Sequence, residues 1–209
     1  DAIAVWGASR VAERGVRAAM RRGCPVLYLE DAPFRSVTSG RHEPLMGLCL
    51  DTQAPFFDAT RPTDLEALLN APDSLSDHDL ARAADLLELI GRSGLSKYNP
   101  ARVVEPLLPE PFVLVADQLP GDASIETGMA DASRFAEMLE AARDENPTSR
   151  ILIARHPRAR QDPRRTHFGD EQEQGRVAFL PPDMRAVDVV DKAARVYCVT
   201  SQLGFDALC

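Results

Sequence analysis

No apolar run in this 209-residue sequence approaches the roughly 18 residues of a membrane-spanning helix, and the amino end lacks a charged-then-apolar signal segment. A helical membrane span and a visible secretory leader are therefore not expected. A basic excess is missing as well. The formal net charge of −8 argues against binding nucleic acid or an anionic membrane through the chain as a whole. Arg150, Arg155, Arg158, Arg160, Arg164 and Arg165 make a local exception, either a solvated loop or an anion-attracting rim. The four cysteines, Cys24, Cys49, Cys198 and Cys209, are scattered without a metal or disulfide pattern and read as reduced thiols of a cytosolic protein. His42, His78, His156 and His167 share no ligand spacing, so no metal site is expected. No internal repeat is visible.

What is present is a globular composition, 44% hydrophobic, in a length that allows one large or two small domains. Ala2–Trp6 reads as a strand. Gly7 follows, then a helix from Ser9 to Arg22 with Val11, Val16, Ala19 and Met20 on a helical spacing and Gly23 as its cap, and then a strand at Pro25–Leu29. That is a βαβ unit. Leu48–Asp51 and Phe56–Asp58 suggest a short hairpin of a mixed sheet. Capping boxes at Thr63/Glu66 and Ser76/Asp79 open two helices, the second with Leu80, Ala83, Leu87 and Ile90 on one face and its end near Gly91 and Gly94. Ser96–Pro100 reads as a polar turn. Pro106, Pro109 and Pro111 then space an extended linker, which divides the chain into 1–105 and 106–209.

The second half alternates β and α. Strands are expected at Phe112–Ala116, Ile151–Ile153, Val177–Leu180 and Val196–Val199. Helices are expected near Asp131–Arg143, with Phe135, Met138, Leu139 and Ala142 buried, and at Asp183–Ala194. The fold class is thus α/β with two Rossmann-like halves. The chain begins without Met, on a strand, and stops at Cys209 a few residues into a helix, so it reads as truncated at both ends.

Three polar clusters follow strands of the second half: Gly121-Asp122-Ala123-Ser124, Arg155-His156-Pro157 and Thr200-Ser201-Gln202 with Gly204. Ligands of open α/β sheets bind at that edge, so the clusters are expected to line one cleft. Asp122 is either a turn former bonding its own backbone or a carboxylate nucleophile or base, with Asp117 the competing candidate. Thr200 or Ser201 caps a helix or, at its amino end, meets a phosphate that Gly204 lets approach. His156, extended before Pro157, can donate to a phosphate or carboxylate. Asp206 reaches a ribose hydroxyl or simply favours the helix start. In the first half, Glu30-Asp31 and Arg35 at a strand end form a polar site or a solvated charge pair.

Taken in order, these words resemble the capsule polysaccharide biosynthesis and export family that includes the retaining β-Kdo transferases. The matching stretches are Ala4-Val5-Trp6-Gly7, Leu29-Glu30-Asp31 with Arg35-Ser36, Asp58-Ala59-Thr60-Arg61-Pro62, Ser96-Lys97-Tyr98-Asn99, Val115-Ala116-Asp117-Gln118, Gly121-Asp122-Ala123-Ser124-Ile125, Glu145-Asn146-Pro147, His156-Pro157, and Val199-Thr200-Ser201-Gln202 with Gly204-Phe205. The resemblance implies a GT-B-like glycosyltransferase module that takes Kdo from CMP-Kdo with retention, needing no cofactor beyond that donor substrate. By motif match Asp122 would be the nucleophile, and Glu30 or Asp31 would help as acid/base. Gln118, Ser124, His156, Thr200, Ser201, Gln202 and Gly204 would face the donor, Asp206 its ribose and Arg35 the Kdo carboxylate. Implied partners are the CMP-sugar donor, a lipid-linked saccharide acceptor and capsule assembly proteins, with no nucleic acid. The implied place is the cytoplasm, at the periphery of the inner membrane. Other readings are a transferase for a different CMP-activated acidic sugar and a non-catalytic scaffold that binds a nucleotide sugar. The chain departs from the family in having Ala154, with Arg155 next to it, where a lysine usually stands two residues before the histidine, so that cation has moved or been lost.

Overall fold

The computed structural model describes residues 1–40, 42–71, 75–100, 108, 111–159, 162 and 165–209. Its strands form two sheets, one from each side of position 105; the expected linker around Pro106 and Pro109 lies outside the described residues.

The first sheet has the order β1-β2-β3, with β1 Ile3–Trp6 parallel to β2 Val26–Asp31. Between them runs α1 Arg10–Arg22, capped by Ser9, whose side chain accepts from the Ala12 amide, and closed by Gly23 in a left-handed conformation (φ 63°). The face α1 buries is carried by Ala12 and Ala19. Val11 and Met20, expected on that face, are 73% and 75% exposed. Small residues win here because the helix lies close on β1: a Cβ on Gly15 would stand 2.4 Å from Val5 Cγ1.

β3 Leu48–Asp51 pairs antiparallel with β2, not with residues 56–58. The expected hairpin is replaced by turns that the carboxylates of Asp51 and Asp58 fasten. Asp51 accepts from the amides of Gln53, Ala54 and Asp64, and Asp58 from Thr60 and Arg61. These local bonds satisfy the backbone that a second strand would otherwise have paired. Thr63 caps α2 Asp64–Leu69 through the Glu66 amide, without the reciprocal bond among the described residues, whereas both bonds of the Ser76/Asp79 box form at α3 Asp77–Ser93. Neither helix buries a residue. Leu80 and Leu87 of the expected face are 54% and 44% exposed.

The second sheet is fully parallel in the order β6-β5-β4-β7, made of β4 Phe112–Ala116, β5 Arg150–Ala154, β6 Val177–Phe179 and β7 Val196–Tyr197. Every residue of β4 is buried, as a continuous apolar run in a sheet covered on both faces must be. Val113 and Val115 point to a cluster with Phe135, Met138 and Leu139 of α5 Ser133–Glu145; Phe112, Leu114 and Ala116 point to the other, with Leu180 and Val189. The expected helix Asp183–Ala194 is instead two short 3₁₀ turns, Ala186–Asp188 and Val190–Lys192. An Arg185–Asp188 ion pair holds the first of them. Because β4 comes first in the chain and lies between β5 and β7, connections leave it in opposite directions, and a crevice opens between β4 and β7.

Candidate active site

A cleft of about 1990 Å³ occupies that crevice and extends to the ends of β1 and β2. All the residues expected at the site line it except Arg35 and Gly204.

Asp122 enters the cleft from the β4 loop. Gly121 adopts φ 79°, turning the chain so that Asp122 becomes the cap of α4 Ala123–Thr127. Its Oδ1 accepts from the Ser124 amide at 3.0 Å and the Ser124 hydroxyl at 2.9 Å, and Oδ2 has no hydrogen bond among the described residues. The capping role and an open carboxylate oxygen therefore coexist. Across the crevice, the Gln118 side chain joins the loops that follow β4 and β7: its Nε2 donates to Thr200 Oγ1 at 2.9 Å, and its Oε1 accepts from the Thr200 amide at 3.0 Å. Thr200 Oγ1 lies 3.3 Å from Ser124 Oγ, which completes a chain of polar contacts from Gln118 to Asp122.

Asp117, the competing carboxylate, is committed to structure. It is buried and accepts from the Gln118 amide, the Thr166 hydroxyl at 2.5 Å and the His167 amide at 3.1 Å, anchoring the loop that carries His156. Burial raises its pKa and these hydrogen bonds oppose the rise. His167 is stacked flat on Phe135 at 3.7 Å. Thr166 was not legible as part of this anchor, because the contact spans 49 residues.

His156 lines the same cleft, near enough to Asp122 to feel its charge. Its Nδ1 accepts from the Arg158 amide at 3.1 Å, and Tyr98 of the first half meets its ring edge-on at 6.3 Å between centroids. Burial first, then the nearby Lys97, lower its pKa to about 4, so at neutral pH the ring is uncharged with its proton on Nε2. It can donate a hydrogen bond, and it brings no charge.

The first half supplies the opposite wall. Glu30 Oε1 accepts from the Asp31 amide at 3.0 Å, and Oε2 lies where a Cβ on Gly7 (φ 61°) would stand at 2.8 Å, so only glycine leaves that carboxylate its place. Burial raises the Glu30 pKa, the charges of Asp31 and Asp122 add to the rise, and Lys97 opposes it. Asp31 differs. Its Oδ2 accepts from Arg35 Nε at 2.9 Å and lies 3.8 Å from Lys97 Nζ. Arg35 also donates to Ser36 Oγ at 2.9 Å, which commits its guanidinium outside the cleft lining. In the sequence Lys97 falls in a polar turn and in one of the stretches that carry the family resemblance, with no site role of its own. What brings it to the cleft is tertiary: its carbonyl accepts from the amides of Arg35 and Ser36, and Tyr98 bridges to Ser36.

The last cluster closes the floor. α6 Leu203–Asp206 is a single turn, so its amino end carries little of the dipole a longer helix would offer an anion, and Ser201 Oγ accepts from the Leu203 amide. Gly204 is required by packing: a Cβ there would stand 2.6 Å from Cys198 Sγ, and the residue does not line the cleft. Asp206 is buried and accepts from Ser96 Oγ at 2.7 Å, while Gln202 Nε2 donates to the Pro33 carbonyl at 2.6 Å. Both bonds join the two halves. Burial raises the Asp206 pKa, against the hydrogen bonds from Ser96 and Gln202.

Residues 101–209 match the capsule polysaccharide biosynthesis protein family. The chain belongs to that family. Over its full length it is 33% identical to the capsule polysaccharide modification protein LipA of Neisseria meningitidis serogroup B, of which it spans 30%. It is 30% identical to the lipopolysaccharide-processing protein LpsZ of Rhizobium meliloti, of which it spans 48%. Among solved structures it superposes on the KpsC β-Kdo 2,4 transferase of Thermosulfurimonas dismutans with a TM-score of 0.89 at 33% identity, over 98% of this chain and 65% of that one. The β-Kdo 2,7 transferase KpsC of the same organism gives 0.67 at 25% identity, over 99% and 61%. This capsule-family chain thus matches two transferase structures along almost its whole length, and the cleft described above belongs to the matched region.

Proposed function

We propose that this chain is a glycosyltransferase module that transfers Kdo from CMP-Kdo, with retention of the β configuration, in building capsular polysaccharide. The observation that carries this reading is the meeting of Asp122, with one carboxylate oxygen free of hydrogen bonds among the described residues, and Glu30, with its raised pKa, across one cleft of a fold like that of the β-Kdo transferases. Retention by two inversions needs a protein nucleophile on the far face of the anomeric carbon. Asp122 Oδ2 attacks that carbon as its bond to the phosphate oxygen breaks, and CMP departs with the electron pair. An acceptor hydroxyl then attacks from the opposite face, its proton passes to the Glu30 carboxylate, and the bond to Asp122 breaks. A raised pKa makes Glu30 the stronger base for that proton, while Asp31 is engaged by Arg35. The uncharged His156 would donate to the phosphate, with the Thr200–Gln202 backbone beside it. The Ser124–Thr200–Gln118 contacts keep Asp122 Oδ1 occupied and aim Oδ2 at the sugar.

The lipid-linked saccharide acceptor and a place at the cytoplasmic side of the inner membrane belong to the same proposal. No helix among the described residues is long and apolar enough to cross a membrane.

The test is an intact mass spectrum of the chain after incubation with CMP-Kdo and no acceptor. A Kdo-sized adduct on the peptide containing Asp122 is expected. Nucleotide binding with no adduct, and no transfer to any saccharide acceptor, would turn the reading toward a nucleotide-sugar scaffold; transfer of a different acidic sugar would redirect the donor assignment.

A further inference from the structure

A CMP-activated acidic sugar carries two negative charges, one on the phosphodiester and one on the sugar carboxylate, and a closed cleft must answer both. Among the described residues four cations line this cleft: Lys97, Arg155, Arg158 and Arg185. Two of them are already engaged. Arg155 lies over the Phe179 ring at 3.6 Å and donates to the Phe168 carbonyl and the Asp170 carboxylate, and Arg185 grips Asp188 with both arms of its guanidinium. Arg158 makes no ion pair among the described residues and follows His156 by two positions on the second-half wall. Lys97 stands on the opposite wall. Its one ion pair among the described residues is the 3.8 Å approach to Asp31 Oδ2, an oxygen Arg35 already holds at 2.9 Å, so its ammonium hydrogens are left for a ligand. It is close enough to Glu30, Asp31 and His156 to act on all three.

We propose that Lys97 is the specificity residue for the donor's acid group: its ammonium pairs with the sugar carboxylate on the first-half wall, while Arg158 pairs with the phosphate on the other. Arg35, whose guanidinium Asp31 and Ser36 occupy, acts behind it by holding Asp31 and thereby the place of Lys97. Lys97 therefore distinguishes a nucleotide linked to an acidic sugar from the nucleotide alone. The inference rests on the CMP-sugar reading above and adds the residue that selects the sugar's charge.

The test measures the affinities of CMP and of CMP-Kdo for the wild-type chain and for Lys97→Met, Lys97→Arg and Arg158→Gln. Loss of one charged contact corresponds to about a ten- to hundredfold weakening. Lys97→Met is expected to weaken CMP-Kdo by that factor and leave CMP within about twofold, because only one ligand carries the acid group. Arg158→Gln is expected to weaken both ligands alike, and Lys97→Arg, which preserves the charge and serves if the methionine variant does not fold, to retain the preference for CMP-Kdo. A Lys97→Met chain that keeps the wild-type preference, or that weakens CMP as much as CMP-Kdo, overturns the proposal alone. A wild-type chain that binds CMP no less tightly than CMP-Kdo removes the Kdo-donor reading together with it.

Discussion

Both halves open with a strand, helix and parallel strand, but they are not stabilised in the same way. The second half buries a complete parallel strand between two apolar layers, and the buried residues of its clusters are at most 8% exposed. In the first half the buried cluster is Val5, Ala12 and Tyr28, β3 runs antiparallel, and α2 and α3 bury nothing. The division teaches that the better-packed half carries Asp122, the proposed nucleophile, whereas the thinner half presents two acids at the end of β2 and a cation on a turn that polar bonds hold. Asp122 and Gln118 follow the buried strand β4, and Thr200 follows the half-buried β7. Glu30, Asp31 and Lys97 depend on one another and on Ser96–Asp206 and Gln202–Pro33 for their place opposite.

That contrast breaks most sharply at Asp122. Asp122→Asn should lower transfer about a thousandfold or more while CMP binding and the melting temperature stay near wild type, since the amide still caps α4 and loses only the oxygen proposed to attack. Retained transfer in a rate assay would move the chemistry to the other wall. In denaturant unfolding, Leu114→Ala in β4 should cost about 2–5 kcal/mol, whereas Leu68→Ala in α2, a residue 66% exposed, should stay within about 0.5 kcal/mol. Equal costs would mean that the first half is packed more tightly than its exposure indicates.

A smaller effect should follow from His156, whose pKa falls from 6.5 to about 4 on folding. Between those pH values the unfolded chain binds the proton and the folded chain does not, so this group's contribution declines as pH falls from 6.5 toward 4. His156→Asn should remove that slope, altering the difference in stability between variant and wild type by up to about 3 kcal/mol across the window. Parallel stability curves for the two proteins would show that His156 is not held uncharged. The smallest change is expected at the join of the halves. Ser96→Ala should cost about 1 kcal/mol at neutral pH and less in acid, where Asp206 is protonated in both states and the loss of its charged partner no longer matters. A cost that does not vary with pH would place the Asp206 charge elsewhere.

Much of the second half could be read directly from residue order. Phe112–Ala116 is apolar without interruption, and Phe135, Met138, Leu139 and Ala142 recur at helical spacing; both patterns follow from burial and backbone period alone. The caps at Gly23, Thr63 and Ser76 were equally legible, because capping is settled within a few residues. Where local carboxylates competed with regular structure, residue order misled. Asp51 and Asp58 made turns of an expected hairpin, and Arg185 with Asp188 shaped 3₁₀ turns within an expected helix. At the site, Asp122 could be named from its loop after a strand, but its open oxygen could not, since Ser124 and the contacts beyond it decide which oxygen is occupied.

The sequence by itself determined the opening βαβ unit, the covered parallel strand and the three polar loops that follow strands, all consequences of short-range period and turn chemistry. Only the tertiary structure decided which charges meet. It turned Arg35 away onto Asp31, made Asp117 an anchor, brought Lys97 to the wall facing His156 and assigned Gly204 to packing against Cys198. The physical reason is that an ionic or hydrogen-bonded pair depends on separations of a few ångströms between groups tens of residues apart, and no local pattern in the chain records that distance.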